Sequence, residues 1–265
     1  MHENNKENFL FITHRHCTAT VSLQGAQLLS WKPTNSEDIL WSSTLDNFKE
    51  GHAFRGGIPI CWPWFGKVNT PSHGFARFLK WHLTKQVETQ EHVTLVFTLQ
   101  ESTYTQKLFP HAFTLTLTMV LGKTLSVSFE VMCAVETTGA LHSYFRTQDV
   151  REEKIEGLGE VYLDALDTHK EKHTPYPLQF TQEVDRVYTQ SDATTHITSK
   201  RRKITLKHSG YSDIVVWNPW DETSSKLADM QEDDYLKMFC VESAKISTSF
   251  LRKDVLTLSV SSLEL

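Results

Sequence analysis

Apolar and hydroxyl residues alternate with period two over long stretches of this chain. Val93-Thr94-Leu95-Val96-Phe97-Thr98-Leu99 is followed by Phe113-Thr114-Leu115-Thr116-Leu117-Thr118-Met119-Val120-Leu121, and then by Leu125-Ser126-Val127-Ser128-Phe129-Glu130-Val131-Met132-Cys133. Threonine and serine at every second position mark the outer face of half-buried strands. Gly122-Lys123 between the last two segments predicts a tight turn, hence an antiparallel hairpin. Further strands are expected at Leu10–Thr13, Thr18–Leu23, His82–Gln86, Ile204–His208, Asp213–Trp217, Tyr235–Val241 and Val255–Ser261. Helical periodicity is scarce, with one short turn expected at Ser224–Met230. No linker or internal repeat interrupts the pattern. It predicts an all-β chain, a large antiparallel β-sandwich forming one domain over residues 1–265.

Composition narrows the partners. The 265 residues are 39% apolar and 22% charged, with a formal net charge of −5 and a pI near 6.2. That balance argues against general affinity for nucleic acid or an anionic membrane. An anionic ligand therefore needs a local basic cluster. The opening Met1-His2-Glu3-Asn4-Asn5-Lys6-Glu7-Asn8 resembles neither a signal peptide nor a transit peptide. No apolar run approaches the ~20 residues of a membrane span. A cytoplasmic protein is expected. Cys17, Cys61, Cys133 and Cys240 lie far apart with no C-x-x-C pair, and buried reduced thiols are the expected reading.

The richest chemistry is in Phe54-Arg55-Gly56-Gly57-Ile58-Pro59-Ile60-Cys61-Trp62-Pro63-Trp64-Phe65-Gly66 and His73-Gly74-Phe75-Ala76-Arg77. Glycine pairs and prolines fix unusual backbone geometry, and aromatics supply flat apolar walls. Arg55 and Arg77, each beside glycine and aromatics, suit an anion site better than two surface ion pairs. Lys67 is a possible assistant or merely solvated. His142 sits in the apolar run Leu141-His142-Ser143-Tyr144-Phe145, and Glu242 shares a strand face with Cys240 and Met238. Each can be a satisfied core group; together they offer an imidazole and a half-buried carboxylate for general acid–base work. His73 can polarise an oxygen. Asp185 can accept from a hydroxyl or simply lie at the surface. Trp217-Asn218-Pro219-Trp220 can stack on sugar faces or close a core loop. There is no Walker loop, G-x-G-x-x-G or G-x-S-x-G. His14-Arg15-His16-Cys17 lacks a second cluster to complete a zinc site. Arg201-Arg202-Lys203 reads as a solvated guard of a sheet edge.

In sequence order, these segments resemble the hexose-6-phosphate mutarotase branch of the aldose 1-epimerase family. Leu108-Phe109-Pro110-His111, Gly157-Leu158-Gly159 before Tyr162-Leu163-Asp164, and Val184-Asp185-Arg186-Val187-Tyr188 add to the likeness, which runs through most of the chain. The resemblance implies a galactose-mutarotase-type sandwich with an open cleft across one sheet. It implies Glu242 as general base and His142, protonated, as general acid, with a nearby carboxylate holding the histidine's pKa up. Arg55 and Arg77 would meet phosphate and substrate, and Ser72, His73 and Asp185 would line the sugar. It implies no metal and no organic cofactor, and a monomer acting on a small-molecule sugar phosphate, glucose 6-phosphate first. Three departures stand out: Ser72, where relatives often carry Gln; Ser243-Ala244 after Glu242, where a proline and a glycine-like turn are usual; and a C-terminal segment without the typical Pro-Gly turn before its last strand. A free-aldose epimerase and a non-catalytic carbohydrate-binding or regulatory module are the alternatives on the same fold.

Overall fold

The period-two segments pair as antiparallel ladders in a computed structural model of the chain, which describes residues 7–45, 51–173 and 175–265. Residues 1–6 of the opening segment lie outside the described residues. Strand His92–Gln100 pairs with Phe113–Gly122, which pairs with Leu125–Leu141. Buried and half-buried residues alternate along the first two and along the third as far as Val131, as the threonine and serine pattern requires. A separate three-stranded sheet joins Phe9–His14, Cys17–Ser22 and Gln27–Pro33. The remaining described strands form one antiparallel network, and the whole is an antiparallel β-sandwich.

Met238–Glu264, 27 residues long, organises that network. It pairs along its length with Asp213–Asn218, Tyr144–Arg146, Leu125–Leu141 and Arg202–Ser209. Its ladder with Leu125–Leu141 shifts register between Lys245 and Phe250 and again between Phe250 and Arg252. At the first of these shifts the buried Asp213 carboxylate replaces the missing ladder, accepting from the backbone N–H groups of Ile246 and Ser247 at 2.8 Å each. The expected strand Val255–Ser261 is its distal part.

Two predicted elements shift. The strand expected from Tyr235 begins at Met238, because Asp234–Lys237 is a helical turn. The Asp234 carboxylate accepts from the Gln231 N–H at 2.8 Å, and the Asn218 amide donates to the Tyr235 and Met238 carbonyls. The short helix is Trp220–Ser224 rather than residues 224–230, started by Asn218 Oδ1 accepting from the Trp220 N–H at 2.9 Å. Unpredicted strands include Val161–Asp164, Val184–Tyr188 and Thr194–Thr198.

The main core runs from Ile12 to Val260 and includes the fully buried Trp31, Trp62, Trp81, Phe129 and Phe239. All four cysteines are free and buried. Arg202 departs from its expected solvated role. It is 7% exposed, and its Nη2 has no hydrogen-bond partner. Strand alternation turns it inward, away from its neighbours Arg201 and Lys203. No helix among the described residues is long and apolar enough to cross a membrane.

Candidate active site

Sheet register assembles the site. Cys240 lies opposite Tyr144 on one side and opposite Trp217 on the other, and Trp217 lies opposite Asp185. Residues paired across strands share a face, so these four form one row. Two residues along, Glu242 falls on the same face. Ser243 pairs with Leu141 in the same register, which sets His142 opposite Glu242. The side chains meet, with His142 Nε2 3.3 Å from Glu242 Oε1.

The dyad is the floor of the site. His142 is 8% exposed and Glu242 1%, and neither His142 Nδ1 nor Glu242 Oε2 has a hydrogen-bond partner. Half-exposed His73, Arg77, Asp185 and Trp217 form the rim. Tyr144 stacks on His142, rings 4.9 Å apart and 15° from parallel, and Trp217 meets both rings edge-on. Burial first, and then the charge of Asp185, pushes the Glu242 carboxyl well above its usual range, with Arg77 opposing. Burial, then His73, Arg77 and Arg55, holds the His142 imidazole well below its ordinary value. This corrects the expectation of a histidine kept cationic by a nearby carboxylate. Burial disfavours every isolated charge here, and the surrounding cations act against imidazolium.

Arg55 reaches the site on a loop and Arg77 on the 3-10 turn Ala76–Phe78, and the backbone leading into each must pass close to other segments. A Cβ on Gly57, at φ +61°, would meet the Leu28 carbonyl oxygen at 2.0 Å, and one on Gly74, at φ +71°, would meet the Trp62 oxygen at 2.0 Å. Only glycine fits either position. The buried Gln27 amide donates to the Phe54 and Gly56 carbonyls at 3.0 and 2.6 Å, clamping the backbone on both sides of Arg55. The Arg55 side chain is engaged as well: its Nε lies 2.7 Å from Asp229 Oδ1 and its Nη1 is 3.4 Å from the Tyr144 hydroxyl. Arg77 differs. Its Nη2 donates to the Ser72 carbonyl at 2.7 Å, while its Nε is buried without a partner. Ser72 thus holds Arg77 through its backbone.

His73 accepts from the Gly66 N–H through Nδ1 at 3.3 Å. Burial, then Arg77 and Lys67, pushes its pKa down to about 3. A neutral ring accepting at Nδ1 carries its proton on Nε2, so His73 is a hydrogen-bond donor and not a proton shuttle. Burial raises the Asp185 carboxyl to about 6, with His169 opposing. Lys67 is exposed. Trp217 lines the site, whereas Trp220 packs on Tyr235 at 5.5 Å, so the two tryptophans divide the alternatives.

Sequence reasoning omitted Gln27, Tyr144, Asp229 and Cys240 from the site. Tyr144 and Cys240 carried a usable signal, each being two residues along a strand from a dyad member. Asp229 and Gln27 carried none, since only the folded loops bring them to Arg55.

The antiparallel sandwich is the fold of mutarotase-like proteins of known structure. The crystal structure of YeaD from Salmonella typhimurium superposes with a TM-score of 0.93 at 36% identity, covering 97% of this chain and 90% of that one. HI1317 gives a TM-score of 0.89 at 34% identity, covering 96% and 92%. A protein of Escherichia coli K12 named "Putative glucose-6-phosphate 1-epimerase" is 39% identical over 246 residues, spanning 91% of this chain and 84% of the relative. A Salmonella typhimurium protein of the same name is 41% identical over 241 residues, 89% and 82%. The family model described as aldose 1-epimerase matches residues 9–254. The chain belongs to the aldose 1-epimerase family.

Proposed function

We propose that this protein interconverts the α and β anomers of a hexose 6-phosphate, glucose 6-phosphate first, by general acid–base ring opening and reclosure. The observation that carries the reading is the in-register His142–Glu242 pair at 3.3 Å on the floor of a polar rim. The anomeric hydroxyl and the ring oxygen share a carbon, so a base and an acid side by side can address both. Glu242 takes the proton of the anomeric hydroxyl while His142 gives one to the ring oxygen. The C1–O bond opens to an aldehyde, C1 turns about C1–C2, and reclosure on the other face reverses the proton transfers.

The proton inventory of the buried pair suits this cycle. Neutral imidazole facing a protonated carboxyl and imidazolium facing carboxylate hold the same number of protons, so the dyad shares one proton between two arrangements. Burial favours the uncharged arrangement at rest. The substrate oxygens, one donating to the carboxylate and one accepting from the imidazolium, stabilise the charged arrangement when reaction begins. Each partner is expected to supply ~10²–10⁴ in rate. Trp217 offers a sugar face, and His73 Nε2–H and Asp185 suit ring hydroxyls.

Phosphate reading falls chiefly to Arg77, which forms no ion pair with a carboxylate among the described residues, and less to Arg55, which Asp229 already neutralises. Comparing anomerisation of glucose and glucose 6-phosphate tests the substrate class. A kcat/KM at least about tenfold higher for the phosphate ester, lost in Arg77→Ala, supports the reading. Equal rates on both sugars would make this a free-aldose epimerase, and binding without turnover of either would make it a binding module.

A further inference from the structure

Cys240 has no part in the reaction above, yet it is fully buried against the dyad, in the row that Tyr144 and Trp217 share. The ligand atoms of His142, Cys240 and Glu242 all lie within 4.8 Å of one another. The 3.3 Å between His142 Nε2 and Glu242 Oε1 is the spacing two donors adopt when each lies about 2.0 Å from one tetrahedral ion. The Cys240 sulfur already lies within 4.8 Å of a donor atom on each of the other two residues, near enough to be the third donor. Glu242 Oε2, on the same carboxylate, is buried and unpartnered, and so is free to share that ion.

The donor set selects the ion. One imidazole nitrogen, one sulfur and one carboxylate suit zinc and its thiophilic neighbours. Magnesium and calcium prefer six or more oxygens. Three protein donors leave a fourth tetrahedral position for water or a substrate oxygen. We infer that His142, Cys240 and Glu242 form a binding site for a zinc-like divalent cation, which occupies the dyad in place of the sugar and stops anomerisation. The inhibitory half rests on the proposed role of the dyad; the binding half does not.

Charge bookkeeping favours uptake into so buried a place. The thiol loses its proton and the dyad loses the one it shares, so two positive charges leave as two arrive. The soft sulfur sits beside the dyad with no role in the sugar reaction, and a metal ion is the reagent that draws Cys240 into chemistry. It acts here as an inhibitor, not as a cofactor.

The test is a titration of the reduced full chain with cobalt(II) in the absence of oxygen. The expected result is one equivalent bound, with a sulfur-to-cobalt charge-transfer band in the near ultraviolet that zinc displaces and Cys240→Ser abolishes. In parallel, zinc should inhibit glucose 6-phosphate anomerisation reversibly, relieved by a chelator and by excess substrate, while magnesium has no effect. Normalised to its own uninhibited rate, Cys240→Ser should need at least about tenfold more zinc for half-inhibition, since even outer partners of a metal site are worth ~10–100-fold. Absence of the band, or a band that survives in Cys240→Ser, overturns the inference and leaves the mutarotase reading standing. The band without any anomerisation in metal-free protein would keep the cation site and overturn the mutarotase reading.

Discussion

Two buried histidines sit on opposite sides of one strand and have opposite fates. Glu242 and Ser243 are consecutive, so their side chains point to opposite faces. Glu242 faces His142, and Ser243 Oγ lies 2.7 Å from His208 Nδ1. The other His208 nitrogen lies 3.1 Å from Thr195 Oγ1, so both ring nitrogens have neutral hydroxyl partners. His142 instead has an ionisable carboxylate on one side and nothing on the other. His208 shows how this fold satisfies a histidine it uses only for packing. His142, left half-satisfied on the opposite face of the same strand, is the exception that points to chemistry. Ser243, a departure from the family pattern, has its own explanation as the partner of His208.

The sharpest way to break this comparison is to remove His142. His142→Gln is expected to lower kcat about 10²–10⁴-fold with stability nearly unchanged. The double variant with Glu242→Gln should lose little more than either single change, because the pair works as a unit. Additive losses, read by anomer-exchange kinetics, would separate the two residues. Arg77→Ala should raise KM for glucose 6-phosphate about 10–100-fold, the worth of one charge-assisted hydrogen bond, and Arg55→Ala less. A larger effect at Arg55 would reverse the assignment.

His208→Gln addresses the other side of the comparison. It should cost ~1–3 kcal/mol of unfolding free energy in urea titrations while the folded protein keeps its kcat. The parent should also show a pH signature that this variant lacks. Burial lowers the His208 pKa from 6.5 to about 4. The unfolded chain binds the proton first, so stability is full above about pH 6.5 and falls toward pH 4, by on the order of 3 kcal/mol. A parent and variant with the same pH slope would contradict this. The smallest effect is expected for Asp229→Asn. Releasing Arg55 from its part-exposed partner should lower KM for the phosphate ester by up to about fivefold, with the free sugar unchanged.

Much of this was legible in the sequence, for identifiable reasons. The hairpins over residues 93–133 advertise themselves because one face is packed and the other is threonine. Strand Val184–Tyr188, which carries Asp185, hides because its buried positions do not alternate: Val184, Val187 and Tyr188 are buried and Asp185 and Arg186 half-buried. His142 and Glu242 were each conspicuous as polar groups in apolar runs. That they face one another depends on the pairing of strands a hundred residues apart, which no local pattern encodes. The protonation of His142 is hidden for a related reason, since the opposing effects of burial, Arg77 and Arg55 exist only in the folded site. Asp229 restrains Arg55 from a loop with no distinguishing composition.

The central claim, that His142 and Glu242 are the reacting pair, is tested most directly by NMR exchange spectroscopy on glucose 6-phosphate with catalytic amounts of parent and Glu242→Gln protein. The account predicts strong α/β exchange cross-peaks with the parent and only the spontaneous background with Glu242→Gln, which should still bind the sugar phosphate. Parent-level exchange by Glu242→Gln would contradict it.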